Sequence, residues 1–211
     1  IGDFWQLIFI FRGADASVFN KLNDAFALYK LKFNYRSYQV ILDYANTVYE
    51  QCRDAISYNE DYSCFITECD SVKPTSIKCE RGDQEGSVTI FDNTGGFKKF
   101  AEKDELILNE EEVSKSRSEL KKFIDTYYPM ILCRTNKQVK EVKSWGYNNV
   151  STIHQAKGLE YDNVVVVDFE IDTTEELNIA YVALTRARDN LLVIDWNNLY
   201  YYWQGGYRYG F

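Results

Sequence analysis

In the second half of the chain, short apolar runs alternate with polar stretches, and this pattern predicts alternating strands and helices. The apolar runs are nearly continuous, as in strands that are buried on both faces of a parallel sheet. Gly146 is placed to end one helix, and Thr173 or Thr174 to begin another. The predicted strands are residues 130–133, 150–154, 163–169 and 190–196, and the predicted helices are residues 136–145 and 174–189.

The first half of the chain is less regular, and residues 55–83 show no clear period. Ser37 is predicted to be the N-cap of a helix over residues 38–53, in which Val40, Ile41 and Tyr44 begin one apolar stripe. Pro129 is predicted to end the helix before it. The remaining predicted strands are residues 28–33 and 87–91, and residues 8–11 are predicted to be a strand or a turn edge. The remaining helices are residues 17–26 and 113–128.

Strands that alternate with helices through short connections predict an α/β fold, in which helices flank a parallel sheet joined by right-handed crossovers. Ligands of such sheets bind at the carboxyl ends of the strands. Four polar side chains follow predicted strands directly and are candidates for such a site: Arg36, Arg134, His154 and Lys157.

Two segments place polar side chains beside buried elements, where burial costs free energy unless the groups are paired or used. Residues 180–188 put Arg186 and Arg188 at the end of an apolar stretch. Residues 151–160 gather polar side chains around one glycine, and these are Thr152, His154, Gln155, Lys157 and Glu160. This arrangement indicates a phosphate and nucleic-acid site.

Composition limits the classes of function. The 211 residues are 45 % hydrophobic, with no apolar span long enough for a membrane helix and no signal peptide. The only methionine is Met130, so Ile1 is interpreted as a start inside a longer protein. The net charge of −8 argues against a global basic field for nucleic acid, but it permits a local basic groove. Five cysteines without a CxxC pair, beside one histidine, favour reduced thiols over a zinc site.

The chain lacks a phosphate-binding loop of the G-x-x-x-x-G-K-[ST] kind, so it is not expected to hold the β- and γ-phosphates of a nucleotide by itself. If it acts on ATP, it supplies the opposite wall of the site. Arg186, expected near the end of a helix, and Arg36, expected between a strand and a helix, suit that wall as arginine fingers. Tyr35 is placed to stack on a base.

Five segments, in order, resemble motifs of the UvrD/Rep-like superfamily 1 DNA helicases. Gly2–Ala14 resembles motif III through Gln6, Ile8, Phe9, Phe11 and Arg12. The others are Asn34-Tyr-Arg-Ser37, which resembles the NYRS element; Ile131–Asn136, which resembles the strand before the next motif; Thr152–Tyr161, which resembles motif V; and Glu175–Ala187, which resembles motif VI. The resemblance runs from Gly2 to Ala187, nearly the whole chain. It implies the second RecA-like domain of an ATP-dependent helicase.

The resemblance also implies individual roles. Gln6 would sense the γ-phosphate, Arg36 would reach it, and Arg186 would be the arginine finger. Tyr35 would stack on the adenine, and Glu160 would accept a ribose hydroxyl. Lys157 is assigned either to phosphate or to a structural ion pair. The residues implied to contact single-stranded DNA are Phe9, Phe11, Arg12, Thr152 and His154, with core packing as the alternative for Phe11.

The sequence departs from the family in three places. Leu7 and Phe9 stand where the family usually has Ser and Tyr, so stacking is retained but a hydroxyl contact is lost. Leu177 and Asn178 stand where two arginines are frequent. Only a few residues separate Trp145 from Ser151, where related helicases insert a large helical subdomain, so functions of that subdomain are not carried over.

The expected organisation is a motif III segment with a linking helix from the first RecA-like domain (residues 1–27), a second RecA-like domain (28–199) and an aromatic tail (200–211). The expected partners are single-stranded DNA and an N-terminal RecA-like domain of the same protein, with ATP as nucleotide and Mg²⁺ held by that first domain. No membrane partner is expected, and a cytoplasmic protein of DNA repair is the implied setting. The alternative is a catalytically inactive helicase-fold module that docks a nuclease or a repair or defence partner. A metal-dependent nuclease is weakly supported, because no cluster of carboxylates and histidine is evident.

Overall fold

The computed structural model describes residues 6, 8, 33–56, 75–76, 86–91, 97–99, 120, 122–195 and 199. The strands among them are β1 (Phe33–Asn34), β2 (Thr75–Ser76), β3 (Ser87–Phe91), β4 (Phe97–Lys99), β5 (Met130–Cys133), β6 (Val150–Thr152), β7 (Tyr161–Val167) and β8 (Ala187–Ile194). The helices are α1 (Gln39–Ile56), α2 (Asn136–Ser144), α3 (Ile153–Ala156) and α4 (Thr174–Leu184), and residues 122–127 are also helical.

The main sheet has the strand order β4-β3-β8-β7-β5-β6. Strands β3, β8, β7, β5 and β6 pair in parallel, and β4 adds an antiparallel edge beside β3. A separate parallel pair joins β1 to β2, which lies in the stretch where the sequence showed no period. The predicted α/β fold of a RecA-like parallel sheet flanked by helices is confirmed.

Helices cover both faces of the sheet, and the strands alternate between two apolar clusters. On β7, Val164 and Val166 face the cluster formed with α1 and α4, while Val165 and Val167 face the cluster formed with α2 and residues 122–127. Burying each such side chain stabilises the fold by about 1.5–3 kcal/mol relative to leaving it exposed. A strand buried on both faces needs apolar residues at every position, which explains the run of four valines.

Three predicted boundaries near the candidate site are wrong. Helix α4 ends at Leu184 rather than at residue 189, because the Thr185 hydroxyl donates to the Tyr181 carbonyl (2.8 Å) and β8 begins at Ala187 by pairing with Tyr161. Arg186 therefore lies in a turn between a helix and a strand.

His154 lies on a helix instead of in a strand. Strand β6 stops at Thr152, whose hydroxyl accepts the backbone N–H of Gln155 (3.3 Å) and so caps α3. This capping box turns the chain immediately after the sheet.

Ser37 is not the N-cap of α1, which begins at Gln39. The Ser37 hydroxyl donates instead to the carbonyl oxygen of Ala187 (2.6 Å), so it binds this turn to β8 rather than to its own helix. Helix α1 also continues to Ile56, beyond the predicted end.

Candidate functional site

The turn that carries Tyr35 and Arg36 is fixed by side-chain hydrogen bonds. The side-chain oxygen of Asn34 accepts the backbone N–H groups of Arg36 (2.8 Å) and Ser37 (2.9 Å). Such a turn forms locally, because the asparagine side chain can accept the backbone N–H groups of the residues two and three positions after it. Ser37 then anchors the turn to the first residue of β8, and Tyr35 keeps 66 % of its surface exposed.

The carboxylate of Glu160 pairs with the turn. Arg36 donates from Nε to Oε2 of Glu160 (2.8 Å), and Arg188 donates from Nη1 to Oε1 (3.4 Å). The hydrogen bond from Arg36 is the main cause that lowers the pKa of Glu160 below its ordinary value, so the carboxylate is ionised at neutral pH. These side chains remain partly exposed, with 31 % of Arg36 and 44 % of Glu160 accessible.

Arg186 is buried, with 1 % of its surface exposed. Its Nε donates to the carbonyl oxygen of Val182 (2.9 Å), and its Nη1 donates to the carbonyl oxygen of Leu159 (3.1 Å). Arg36 lies beside it, because Nη1 of Arg36 donates to the carbonyl of Thr185 (3.3 Å), the residue before Arg186. Two guanidinium groups from distant parts of the chain therefore meet at one turn.

Gly158 shapes the loop that brings Glu160 to this turn. It has a φ of +83°, a conformation that glycine adopts without strain and other residues adopt rarely. The loop ends where the Tyr161 N–H donates to the carbonyl of Arg186 (3.0 Å), which joins the start of β7 to the arginine turn.

The cluster of Arg36, Glu160 and Arg186 lies at the amino ends of β7 and β8, whereas Arg134 and His154 follow the carboxyl ends of β5 and β6. Tyr161 and Ala187 open these strands and are register partners. Arg36 does follow a strand, but β1 belongs to the separate two-stranded pair, and the bond from Ser37 to Ala187 places its turn against the opening of β8.

A second group of predicted residues surrounds α3. Lys157 donates from Nζ to the backbone carbonyl of Gln6 (2.7 Å), and the Nε2–H of His154 donates to the backbone carbonyl of Ile8 (3.2 Å). Ile8 is fully buried in the cluster shared with α1 and α4. Gln6 and Ile8 are therefore bound to the end of α3 and to the residue that follows it. Phe9, Phe11 and Arg12 lie outside the described residues.

Thr152 and His154 have environments that constrain their roles. Thr152 is 6 % exposed, and its hydroxyl is used as the cap of α3. Burial lowers the pKa of His154, and the nearby charge of Arg134 lowers it further. His154 is therefore a neutral hydrogen-bond donor at pH 7 rather than a cation.

Arg134, the remaining candidate, is bound by Glu176. Its Nε donates to Oε2 (2.8 Å) and its Nη2 to Oε1 (2.6 Å), which is the bidentate geometry of a strong arginine–carboxylate pair. The pair joins the carboxyl end of β5 to the first turn of α4. Arg134 thus lies near His154 and apart from the cluster at the opposite strand ends.

Sequence reasoning assigned no role to Arg188, Asp162 or Thr185, which the structure places around the two predicted arginines. The sequence pattern drew attention to Arg188, but it did not predict that β8 begins at Ala187. That early start places Arg188 in a strand, where it bonds Asp162. In the parts of the chain that the structure describes, no group of three or more His, Cys, Asp or Glu side chains could hold a metal ion. None of the described helices is long and apolar enough to cross a membrane.

The parallel sheet, its two helical layers and the arginine-rich turn at one edge define a RecA-like α/β domain. Residues 149–194, from the start of β6 to the end of β8, match the UvrD-like helicase C-terminal domain family. This part of the chain is similar to that family, in agreement with the resemblance found in the sequence.

A curated relative supports the same assignment. The chain is 40 % identical over 55 residues to the Gabija protein GajB of Bacillus cereus (strain VD045). That stretch is 25 % of this chain and spans 11 % of the length of GajB.

Proposed function

We propose that this chain is the second RecA-like domain of an ATP-dependent DNA helicase or translocase, and that it supplies one wall of an ATP site. The other wall, with the phosphate-binding loop, would be an N-terminal RecA-like domain of the same protein. The observation that carries the proposal is the convergence of Arg36, Glu160 and the Arg186 turn at the amino ends of β7 and β8. The family match over residues 149–194 supports it independently.

The arginine cluster suits a nucleoside triphosphate. Arg36 would reach the γ-phosphate, Arg186 would act as the finger that stabilises charge in the transition state, and Gln6 would sense the phosphate. Tyr35 is 66 % exposed beside Arg36, so its ring is accessible for stacking on adenine. Glu160 is ionised and would accept a ribose hydroxyl. Lys157 would contribute to the same cleft through Gln6, whose backbone carbonyl it binds.

The Mg²⁺ ion that accompanies ATP would neutralise phosphate charge, and its ligands are assigned to the N-terminal domain. The residues of this chain would bind, orient and stabilise the nucleotide from the opposite side. Their guanidinium groups suit that task, because a charged planar donor matches phosphate oxygens without needing a metal ligand of its own.

The contacts of Gln6 and Ile8 support a link between nucleotide and DNA. Gln6 is assigned to the γ-phosphate, and the carbonyl of Ile8 accepts a hydrogen bond from His154, which is assigned to DNA. Phe9, Phe11 and Arg12 would grip single-stranded DNA by stacking and by charge, and His154 would contact its backbone. Thr152 would act by holding α3 in place. Domain closure on ATP would then move the DNA grip.

The proposed organisation assigns residues 1–27 to the motif III segment and its linking helix, 28–199 to the second RecA-like domain and 200–211 to an aromatic tail. The proposed setting is the cytoplasm, and the proposed process is DNA repair.

The decisive experiment uses the full-length protein that contains this chain. Arg186→Ala should lower DNA-stimulated ATP hydrolysis by about 10³-fold or more while nucleotide binding is retained. Lys140→Ala is the matched control, because Lys140 is an exposed cation on α2 outside the site. Unchanged turnover in Arg186→Ala would refute the finger assignment. The isolated chain should show no hydrolysis above background, and measurable turnover would contradict the shared site.

One observation favours a second candidate, an inactive helicase-fold module that docks a nuclease or a repair or defence partner. Arg186 is buried and bound to two backbone carbonyls in this arrangement, as a purely structural arginine would be. The same ATPase measurement separates the candidates. A full-length protein with no DNA-stimulated ATPase activity, but with a stable protein partner, would support the docking module.

A further inference from the structure

The carboxylate of Glu160 is shared by two arginines that are held in different ways. Its Oε2 accepts the shorter bond, from Arg36 (2.8 Å), and its Oε1 accepts the longer one, from Arg188 (3.4 Å). Arg188 is also held by Asp162, which accepts its Nε at 2.7 Å and is in contact with its Nη2. Glu160 thus stands between two cations, and each of its oxygens faces one of them.

The two arginines differ in what would happen to them when a nucleotide binds. On the proposed function, Arg36 leaves Glu160 for the γ-phosphate. Arg188 is part of β8, its carbonyl accepts the N–H of Tyr38 (3.2 Å), and Asp162 fixes its guanidinium. Arg188 therefore remains beside Glu160 after Arg36 has gone.

An exposed carboxylate that loses its closest cation gains rotational freedom, and fixing it again costs side-chain entropy. We propose that Arg188 is a positioning residue that keeps the Glu160 carboxylate directed at the nucleotide sugar once Arg36 is engaged by phosphate. The inference rests on the proposed function and assigns to Arg188 a role in selecting the sugar of the nucleotide.

Stability alone does not account for this arrangement. The side chain of Arg188 is 38 % exposed, that of Asp162 is 55 % exposed and that of Glu160 is 44 % exposed. Ion pairs at such exposure contribute little to folding, since water and salt screen them. Their value lies in the orientation of Glu160.

The test compares ATP with 2′-deoxyATP and 3′-deoxyATP as substrates of the DNA-stimulated ATPase of the full-length protein. A site that hydrogen-bonds a hydroxyl discriminates against the analogue that lacks it. Arg188→Ala should reduce the preference for ATP over the analogue that lacks the hydroxyl bound by Glu160. The expected reduction is about tenfold, the value of one charge-assisted hydrogen bond, and it should appear in KM more than in kcat. Asp162→Asn, which loosens the Arg188 guanidinium, should shift the preference in the same direction by less.

A double-mutant cycle shows whether Arg188 acts through Glu160. In a Glu160→Ala background, Arg188→Ala should leave the remaining sugar preference unchanged, because the positioned group is already gone. Additive effects, or an unchanged preference in both Arg188→Ala and Asp162→Asn, would overturn the inference. A full-length wild type without ATPase activity would instead refute the proposed function, so the two failures are distinguishable.

Discussion

Arg186 and Arg188 are two residues apart, yet the structure predicts very different consequences for the replacement of each by alanine. Arg186 is 1 % exposed, and its guanidinium donates to the carbonyls of Val182 and Leu159 and to the Thr185 hydroxyl. Arg188 is 38 % exposed at its side chain, which pairs with the carboxylates of Asp162 and Glu160 at the surface.

The magnitude follows from burial and hydrogen bonding. Each hydrogen bond from a charged donor contributes about 1.5–3 kcal/mol, and Arg186 makes two short ones to carbonyls, at 2.9 and 3.1 Å. Arg186→Ala also leaves both carbonyls without that partner and opens a cavity, but it removes the cost of burying a charge. The expected net loss is about 3 kcal/mol in the free energy of unfolding. Arg188→Ala should cost about 0–1 kcal/mol.

Urea unfolding followed by tryptophan fluorescence measures both variants against the wild type, and the linear extrapolation gives the free energy in water. A loss below about 0.5 kcal/mol for Arg186→Ala, or an equal loss for Arg188→Ala, would refute the burial argument. If this loss is confirmed, the ATPase activity of Arg186→Ala must be measured well below the unfolding temperature of the variant. Lost catalysis is then separated from lost folding.

Three further predictions concern single side chains. Ser37→Ala removes the donor to the carbonyl of Ala187 and should lower the free energy of unfolding by about 1–3 kcal/mol, measured by urea unfolding; an unchanged midpoint would contradict the anchoring of the turn. His154, the chain's one histidine, should titrate by NMR below its ordinary pKa, and Arg134→Gln should raise that pKa because one cause of the lowering is removed. Since folding favours the neutral imidazole, this group's contribution to stability is present above about pH 6.5 and is lost as the pH falls through the lower folded pKa. Burial raises the pKa of the Cys133 thiol to about 12, so its contribution should be complete below about pH 8.5 and decline as the pH rises toward 12; a Cys133→Ala variant with the same alkaline slope would disprove this.

Elements with strong local signals were predictable from the sequence. The four valines of β7 and the apolar strand β5 can only be buried in a sheet covered on both faces. Helix α2 begins with a complete capping box at Thr135 and is followed by Gly146 with a φ of +92°, so both ends are encoded within a few residues.

The sequence singled out the residues of the candidate site, but it did not predict the contacts that bring them together. Glu160 lies 124 positions from Arg36, and Ala187 lies 150 positions from Ser37, so their hydrogen bonds depend on how the chain folds over a long range. The predicted end of α4 at residue 189 was wrong for the same reason. Arginine and alanine favour a helix, so local preference extends α4, and the pairing of Ala187 with Tyr161 overrides it.

The two arginines assigned to phosphate differ in how firmly they are held, and this difference gives the proposed site an order of events. Arg36 is bound to Glu160 at a partly exposed position and to the carbonyl of Thr185 (3.3 Å), and breaking its ion pair costs about 1 kcal/mol or less. Arg186 is bound to carbonyls inside the domain, and its release requires the Leu159 loop and the end of α4 to move. In the proposed site, phosphate arriving on a facing domain would therefore meet Arg36 first, with little reorganisation. On the same proposal, Arg186 would enter only when domain closure rearranges the turn. Its charge would then act at the stage of phosphoryl transfer, and hydrolysis rather than binding would depend on closure.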